Sequence, residues 1–312
     1  MGRIAVVAVG GNSLIKDKAH QSVPDQYAAA VESSRHIAGM IEQGWDVLLT
    51  HGNGPQVGFI LRRSELSVHE LHTVPLDYCG ADTQGAIGYM FQRALHNEFA
   101  QRGITKSAAT VITQTLVDAD DPAFQNPSKP IGSFMDEPSA RQHADAEGWA
   151  VVEDAGRGWR RVVPSPIPKK LVEFDAIMTL LRAGFTVVAS GGGGIPVVER
   201  DGELQGVEAV IDKDYAASVI ARDLHADLFL ITTAVDKVAL NYGKPDQQEL
   251  DCLTLAQARE YLAQGHFHKG SMGPKVQAVI WYLEAGGTEA LITSPENIAR
   301  ALRGETGTRF VP

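Results

Sequence analysis

Three lysines stand where an ammonium group has a chemical use. Lys213 lies in Val210-Ile211-Asp212-Lys213-Asp214, at the start of a segment with helical spacing through Tyr215, Val219 and Ile220. Lys275 follows Gly270-Ser271-Met272-Gly273-Pro274 and so begins at a helix N-terminus, where a cation is disfavoured unless an anion is bound. Lys129 lies between prolines in Asn126-Pro127-Ser128-Lys129-Pro130. One lysine alone is ordinarily a solvated surface charge; three in such settings, two of them beside Gly- or Pro-fixed backbone, read as cations placed where negative charge moves. Asp214 has two readings: it caps the helix that follows, or it also orients lysine ammonium groups.

Glycine turns supply the other half of that chemistry. Gly10-Gly11-Asn12-Ser13 and His51-Gly52-Asn53-Gly54-Pro55 each follow a short apolar strand pattern. Glycine there lets backbone N–H groups approach an anion, and a helix beginning just afterwards adds its positive end. A third run, Gly191 to Gly194, follows Val187-Val188-Ala189-Ser190 and repeats the arrangement. Two such turns on successive strands fit a small anion beside a phosphate chain. Phosphoryl transfer depends on positioning and electrostatic stabilisation, so the reading is a phosphoryl-transfer enzyme.

Other chemistries lack their residues. The chain has no G-x-x-x-x-G-K-[ST], no G-x-G-x-x-G opening a helix and no Gly-x-Ser-x-Gly. His69 with His72, and His266 with His268, have ligand spacing but no clear third ligand, which favours ordinary polar histidines. Cys79 and Cys252 are far apart and read as buried, reduced thiols.

The elements that must hold these groups follow from hydrophobic pattern. Nearly continuous β-branched runs at 4–9, 46–50, 111–115, 186–190, 228–232 and 289–293 indicate strands covered on both faces. Helical spacing links Tyr27 to Ile41, Ile87 to Phe99 and Val276 to Leu283. Thr254 with Gln257 forms a capping box, Pro274 and Pro295 suit first turns, and Gly286-Gly287 is a stop. Alternation of this kind gives a mainly parallel sheet between helices, with ligands at the carboxyl ends of the strands.

One region breaks the alternation. Residues 118–168 carry seven of the 15 prolines, and the charged ribbon 149–163 reads as a hairpin too polar for the central sheet. It is expected to protrude over the site as a lid. The 312 residues, 44% hydrophobic and 21% charged, fit one broad domain or two joined lobes. A formal net charge of −10 without a long basic run argues against nucleic acid or an anionic membrane as partner, so an anionic substrate must meet local cations. No apolar run reaches membrane-spanning length and the run 4–9 is too short for a signal-peptide core, which gives a cytoplasmic expectation.

The same segments resemble carbamate kinase. The likeness rests on 9–14, 49–58, 121–124, 129–132, 160–166, 191–197, 211–214, 270–275 and the ending 307–312, in unbroken order from Ile4 to Pro312. The resemblance implies the amino-acid-kinase fold: an αβα sandwich with a mainly parallel central sheet and a protruding lid subdomain, 118–168. It implies an acceptor-binding lobe at 1–190, a nucleotide-binding lobe at 191–312, and usually a homodimer. The implied reaction is ATP plus carbamate giving ADP plus carbamoyl phosphate, with magnesium carried by the nucleotide, commonly run towards ATP in arginine or purine catabolism. Carried over by position, Gly10, Gly11, Asn12, Gly52, Asn53 and Gly54 would cradle carbamate and the phosphoryl group. Lys213 and Lys275 would stabilise the moving charge, Asp214 would orient both, and Lys129 would arrive with the lid. Thr233, Ala234, Val235, Asp236, Tyr242, Met272 and Gly273 match the nucleotide-lining region. Ser128, Ser133, Met135 and Asp82 depart from the family pattern; Asp82 falls close to the acceptor side or the dimer helix, where a carboxylate would weaken an anion site unless it caps the following helix, and capping is the preferred reading. Two other readings stay open: a related kinase for another small carboxylate, and a nucleotide-binding relative without turnover.

Overall fold

The computed structural model describes residues 2–10, 14, 15, 17, 19–154, 156–268 and 270–312. From the amino end come β1 (Arg3–Val9), α1 (Val23–Glu42), β2 (Trp45–His51), α2 (Gly54–Ser67), α3 (Leu76–Arg102), β3 (Ala108–Val111) and β4 (Gln114–Val117). An insert follows with β5 (Lys129–Met135), α4 (Glu137–Glu147), β6 (Ala150–Glu153) and β7 (Trp159–Val163). Then come β8 (Pro168–Leu171), α5 (Phe174–Arg182), β9 (Thr186–Ala189), β10 (Ile195–Arg200), β11 (Glu203–Gly206), α6 (Lys213–Asp223) and β12 (Leu228–Thr232). The chain closes through β13 (Val238–Leu240), β14 (Gln248–Leu250), β15 (Cys252–Thr254), α7 (Leu255–Ala263), α8 (Met272–Glu284), β16 (Ala290–Thr293), α9 (Ile298–Leu302) and β17 (Thr308–Val311).

Eight strands form the central sheet in the order β15-β17-β16-β12-β1-β2-β9-β3, parallel throughout except where β16 meets β17. Alternation along β1 shows why its sequence is apolar at every position after the exposed Arg3: Ile4, Val6 and Ala8 enter one core, Ala5, Val7 and Val9 the other. The first core is completed by Ile177 and Leu181 of α5, Ile220 of α6 and Val276 and Val279 of α8. The second takes Ile37 and Met40 of α1, Ile87 and Phe91 of α3 and Ile298 of α9. Helices therefore cover both faces, which is the αβα sandwich expected from the alternation.

Local signals hold these helices in place. α1 opens on a capping box made by Ser22 and Asp25, and α7 on the Thr254–Gln257 box. α3 runs for 27 residues and stops at Gly103, whose φ of 68° suits glycine. It lies tight against β3 because Gly88 has no side chain; a Cβ there would sit 2.3 Å from Thr110 Cγ2.

One expected strand is two. The run 111–115 breaks between β3 and β4 because the buried Gln84 side chain takes both backbone groups of Thr113, at 2.7 Å and 3.1 Å. That amide stands in for a strand neighbour at the Thr113 N–H, while the Thr113 carbonyl also accepts from the Ile195 N–H of β10 at 2.9 Å, and the chain passes from the central sheet into a second one, β11-β10-β4-β8. The ribbon 149–163 is the expected hairpin: β6 and β7 pair antiparallel and β5 joins them in a separate three-stranded sheet. Cys79 is buried, but Cys252 is exposed on β15, contrary to the expectation for both thiols, because it begins a short strand at the margin of the sheet. No described helix is long and apolar enough to cross a membrane.

Candidate active site

Four neighbouring strands of the sheet, β12, β1, β2 and β9, end at one cavity of about 820 Å³. The chain leaves β1 towards β2 on one side while β12 lies on the other, so the cavity sits where the strand order reverses, the usual ligand position in open α/β sheets. Gly10, Gly52, Asn53, Gly54, Gly192, Thr232, Thr233 and Ala234 line it from the strand ends. Lys129, Asp212, Lys213, Asp214 and Lys275 line it as well.

Two aspartates, Asp214 buried and Asp212 half-buried, organise the three lysines. The Asp214 carboxylate accepts from Lys213 Nζ through one oxygen and from Lys275 Nζ, at 2.8 Å, through the other. Asp212 caps α6, its Oδ1 accepting from the Asp214 N–H at 2.9 Å, while its Oδ2 accepts from Lys129 Nζ at 2.7 Å. The capping reading of Asp214 is thereby corrected. The first acid of Asp212-Lys213-Asp214 occupies the N-cap, and the second faces the lysines from the first helical turn.

Charge in this cluster is balanced against burial. Burial alone would raise the Asp214 pKa, yet the charges and hydrogen bonds of Lys213 and Lys275 override it and hold the carboxyl far below its ordinary range. Burial lowers the Lys213 pKa, opposed by Asp214 and reinforced by the nearby Lys275 charge. Two ammonium groups thus share one carboxylate, an excess of positive charge directed into a cavity that an anion can enter.

The glycine turns act differently from one another. The Gly52 N–H, expected to face an anion, donates instead to Val9 O at 3.0 Å and ties β2 to β1; the Gly10 N–H donates to Thr232 Oγ1 at 3.3 Å. At the start of α2 Pro55 has no N–H and the Val57 N–H donates to Asn53 O at 3.0 Å, which leaves the N–H groups of Gly54 and Gln56 as donors without a partner among the described residues. α1 does not follow the first turn directly, beginning only at Val23. Gly11 and Asn12, assigned with that turn, lie outside the described residues. The run Gly191 to Gly194 passes through a single 3-10 turn into β10 rather than into a helix, so it adds no helix N-terminus. Its glycines are set by crowding: a Cβ at Gly191 would lie 2.3 Å from the His51 ring, and one at Gly192 2.2 Å from Asn53 Nδ2.

Among the residues matched to nucleotide lining, Thr233 and Ala234 border the cavity, while Val235, Asp236, Tyr242, Met272 and Gly273 do not. Asp236 accepts from Asn297 Nδ2 at 2.8 Å, and Tyr242 is exposed. Asp82 caps no helix: α3 begins six residues earlier, at Leu76, and Asp82 is exposed on its side, away from the cavity lining. Ser133 and Met135 border a separate 440 Å³ cavity between α2 and the insert. Sequence reasoning missed Asp212, His51 and Thr83. Asp212 had a signal, an acid one residue before a helical run; Thr83 acts across 30 residues and had none.

The model of the amino acid kinase family matches residues 3–294, and the chain belongs to that family. More particularly, it is 50% identical over 309 residues to the carbamate kinase of Thermococcus kodakarensis, covering 98% of each chain. It is likewise 50% identical over 315 residues to the carbamate kinase-like protein YahI of Escherichia coli, covering 100% of this chain and 99% of that one. The solved carbamate kinase from Giardia lamblia bound to AMP-PNP superposes with a TM-score of 0.94 at 40% identity, covering 99% of this chain and 98% of that chain.

Proposed function

We propose that this chain is a carbamate kinase, passing the phosphoryl group of ATP to carbamate and, in reverse, that of carbamoyl phosphate to ADP. The observation that carries the reading is Asp214 holding Lys213 and Lys275 on one cavity with the start of α2. In the direction of ATP formation the P–O bond to the carbamoyl group breaks as a bond to the ADP β-phosphate oxygen forms, and carbamate leaves. Lys213 and Lys275 offset the charge on the migrating group; Asp214 keeps both ammonium groups aimed. Gly10, Gly11, Asn12, Gly52, Asn53 and Gly54 hold the acceptor, with α2 supplying N–H donors. Lys129 closes on the phosphoryl group from the insert.

The nucleotide enters past Thr233 and Ala234, with Val235, Asp236, Tyr242, Met272 and Gly273 around its outer part. The lobes divide near residue 190, and the insert 118–168 acts as a lid. Among the described residues no three His, Cys, Asp or Glu side chains are grouped to hold a metal ion, and Asp212 and Asp214 are both engaged by lysines. Magnesium fits as an ion carried on nucleotide phosphate oxygens, where it supplies charge neutralisation. The enzyme works in the cytoplasm as a homodimer, in arginine or purine catabolism.

A coupled assay of ATP formation from ADP and carbamoyl phosphate tests donor, acceptor and catalysis together. Lys213→Ala should cost on the order of 10²-fold or more in kcat while leaving nucleotide binding nearly unchanged. Equal losses in both would remove Lys213 from the transition state. A panel of small acids assayed with ATP separates carbamate from other acceptors.

A further inference from the structure

Asn53 occupies the N-cap of α2, where an asparagine side chain ordinarily accepts a hydrogen bond from a first-turn N–H group; here it makes none. Its amide is drawn instead to α3, Nδ2 donating to Thr83 Oγ1 at 2.9 Å. The hydroxyl proton of Thr83 is committed to its own helix, to the Cys79 and Gly80 carbonyls, each at 2.9 Å. A hydroxyl that donates there can only accept from Asn53, which fixes which end of the amide faces it. Gly192 closes the other side, since any side chain would strike the amide. Asn53 Oδ1 receives no hydrogen bond among the described residues, and Asn53 lines the cavity.

We propose that Thr83 is a positioning residue which, by fixing the rotation of the Asn53 amide, presents an acceptor oxygen to the substrate and selects an acid bearing N–H over one bearing a methyl group. The proposal rests on the carbamate kinase reading. Lysines and helix N–H groups bind any small carboxylate or acyl phosphate alike. A lone carbonyl oxygen among them repels carboxylate oxygens and is rewarded only by a donor. Carbamate has one; acetate, of nearly the same shape, leaves Oδ1 unpaired.

The experiment measures ATP formation from ADP with carbamoyl phosphate and with acetyl phosphate, for the wild type, Thr83→Val and Thr83→Ser. The wild type should favour carbamoyl phosphate in kcat/KM. Thr83→Val, similar in shape but unable to accept, should lower that preference by about tenfold or more, with the KM for ADP held within about twofold. Thr83→Ser should restore the preference. An unchanged ratio in Thr83→Val, equal losses with both donors, or failure of serine to rescue overturns the assignment. If valine at this buried position prevents folding, Thr83→Ala is scored by the same ratio. A wild type that forms no ATP from carbamoyl phosphate overturns the functional reading as well, whereas normal turnover with an unmoved ratio overturns this inference alone.

Discussion

His51 ends β2 inside the protein, its ring stacked on Phe91 with centroids 6.0 Å apart and its Nδ1 within 3.2 Å of the Gly52 carbonyl, to which it donates. Burial pushes its pKa down to about 4, with the Lys213 charge acting in the same direction. A histidine whose folded pKa lies below its unfolded value is protonated first in the unfolded chain, so its contribution to stability falls as pH drops from about 6.5 towards about 4. Over that window His51 should cost up to about 3 kcal/mol of unfolding free energy. Urea titrations of the wild type and His51→Gln at several pH values should show a correspondingly shallower acid loss in the variant. Identical slopes would mean the ring is solvated. The same residue shows what sequence could not reveal: a histidine before Gly-Asn-Gly looks like part of the anion turn, and only packing shows it as a neutral wedge under Gly191.

At the scale of elements, the parallel strands were legible because burial on both faces forces apolar residues at every position, and α1, α3 and α8 because burial on one face leaves a helical period. The break between β3 and β4 was not, since it depends on Gln84, a polar residue whose two bonds to Thr113 are invisible in any local pattern. Of the site, Lys129 and Lys275 stood out through neighbouring Gly and Pro and Lys213 through its place at a helix start between two aspartates, whereas the roles of those carboxylates became distinguishable only once α6 had a defined first residue. Close packing of α3 on β3 gives an element-level prediction. Gly88→Ala must push α3 from β3 or displace Thr110, costing about 1–3 kcal/mol, since overpacked cores lose stability on that scale. Adding Thr110→Ala should recover much of that loss in thermal melts. No recovery would place the crowding elsewhere.

For the whole molecule, α3 also offers an outward stripe. Tyr78 and Tyr89 are 64% and 58% exposed, and Asp82 and Gly85 lie between them on the same side of the helix. Large aromatic side chains left in water along one helix face suit contact with a second copy, in keeping with the proposed homodimer. Sedimentation should give twice the chain mass, and Tyr89→Arg should shift it towards the single chain; an unaltered dimer would move the contact to another face. The insert is tied back to the body by Lys129 to Asp212 and by Arg161 to Glu208 at 2.8 Å. The first of these ties bears on turnover. Under the proposed function, the phosphoryl group shares the Lys129 charge with the Asp212 carboxylate, which already takes one of its three N–H donors. In that reading the carboxylate tempers the pull of Lys129 on a bound acyl phosphate, and it keeps the lysine anchored once the product has left.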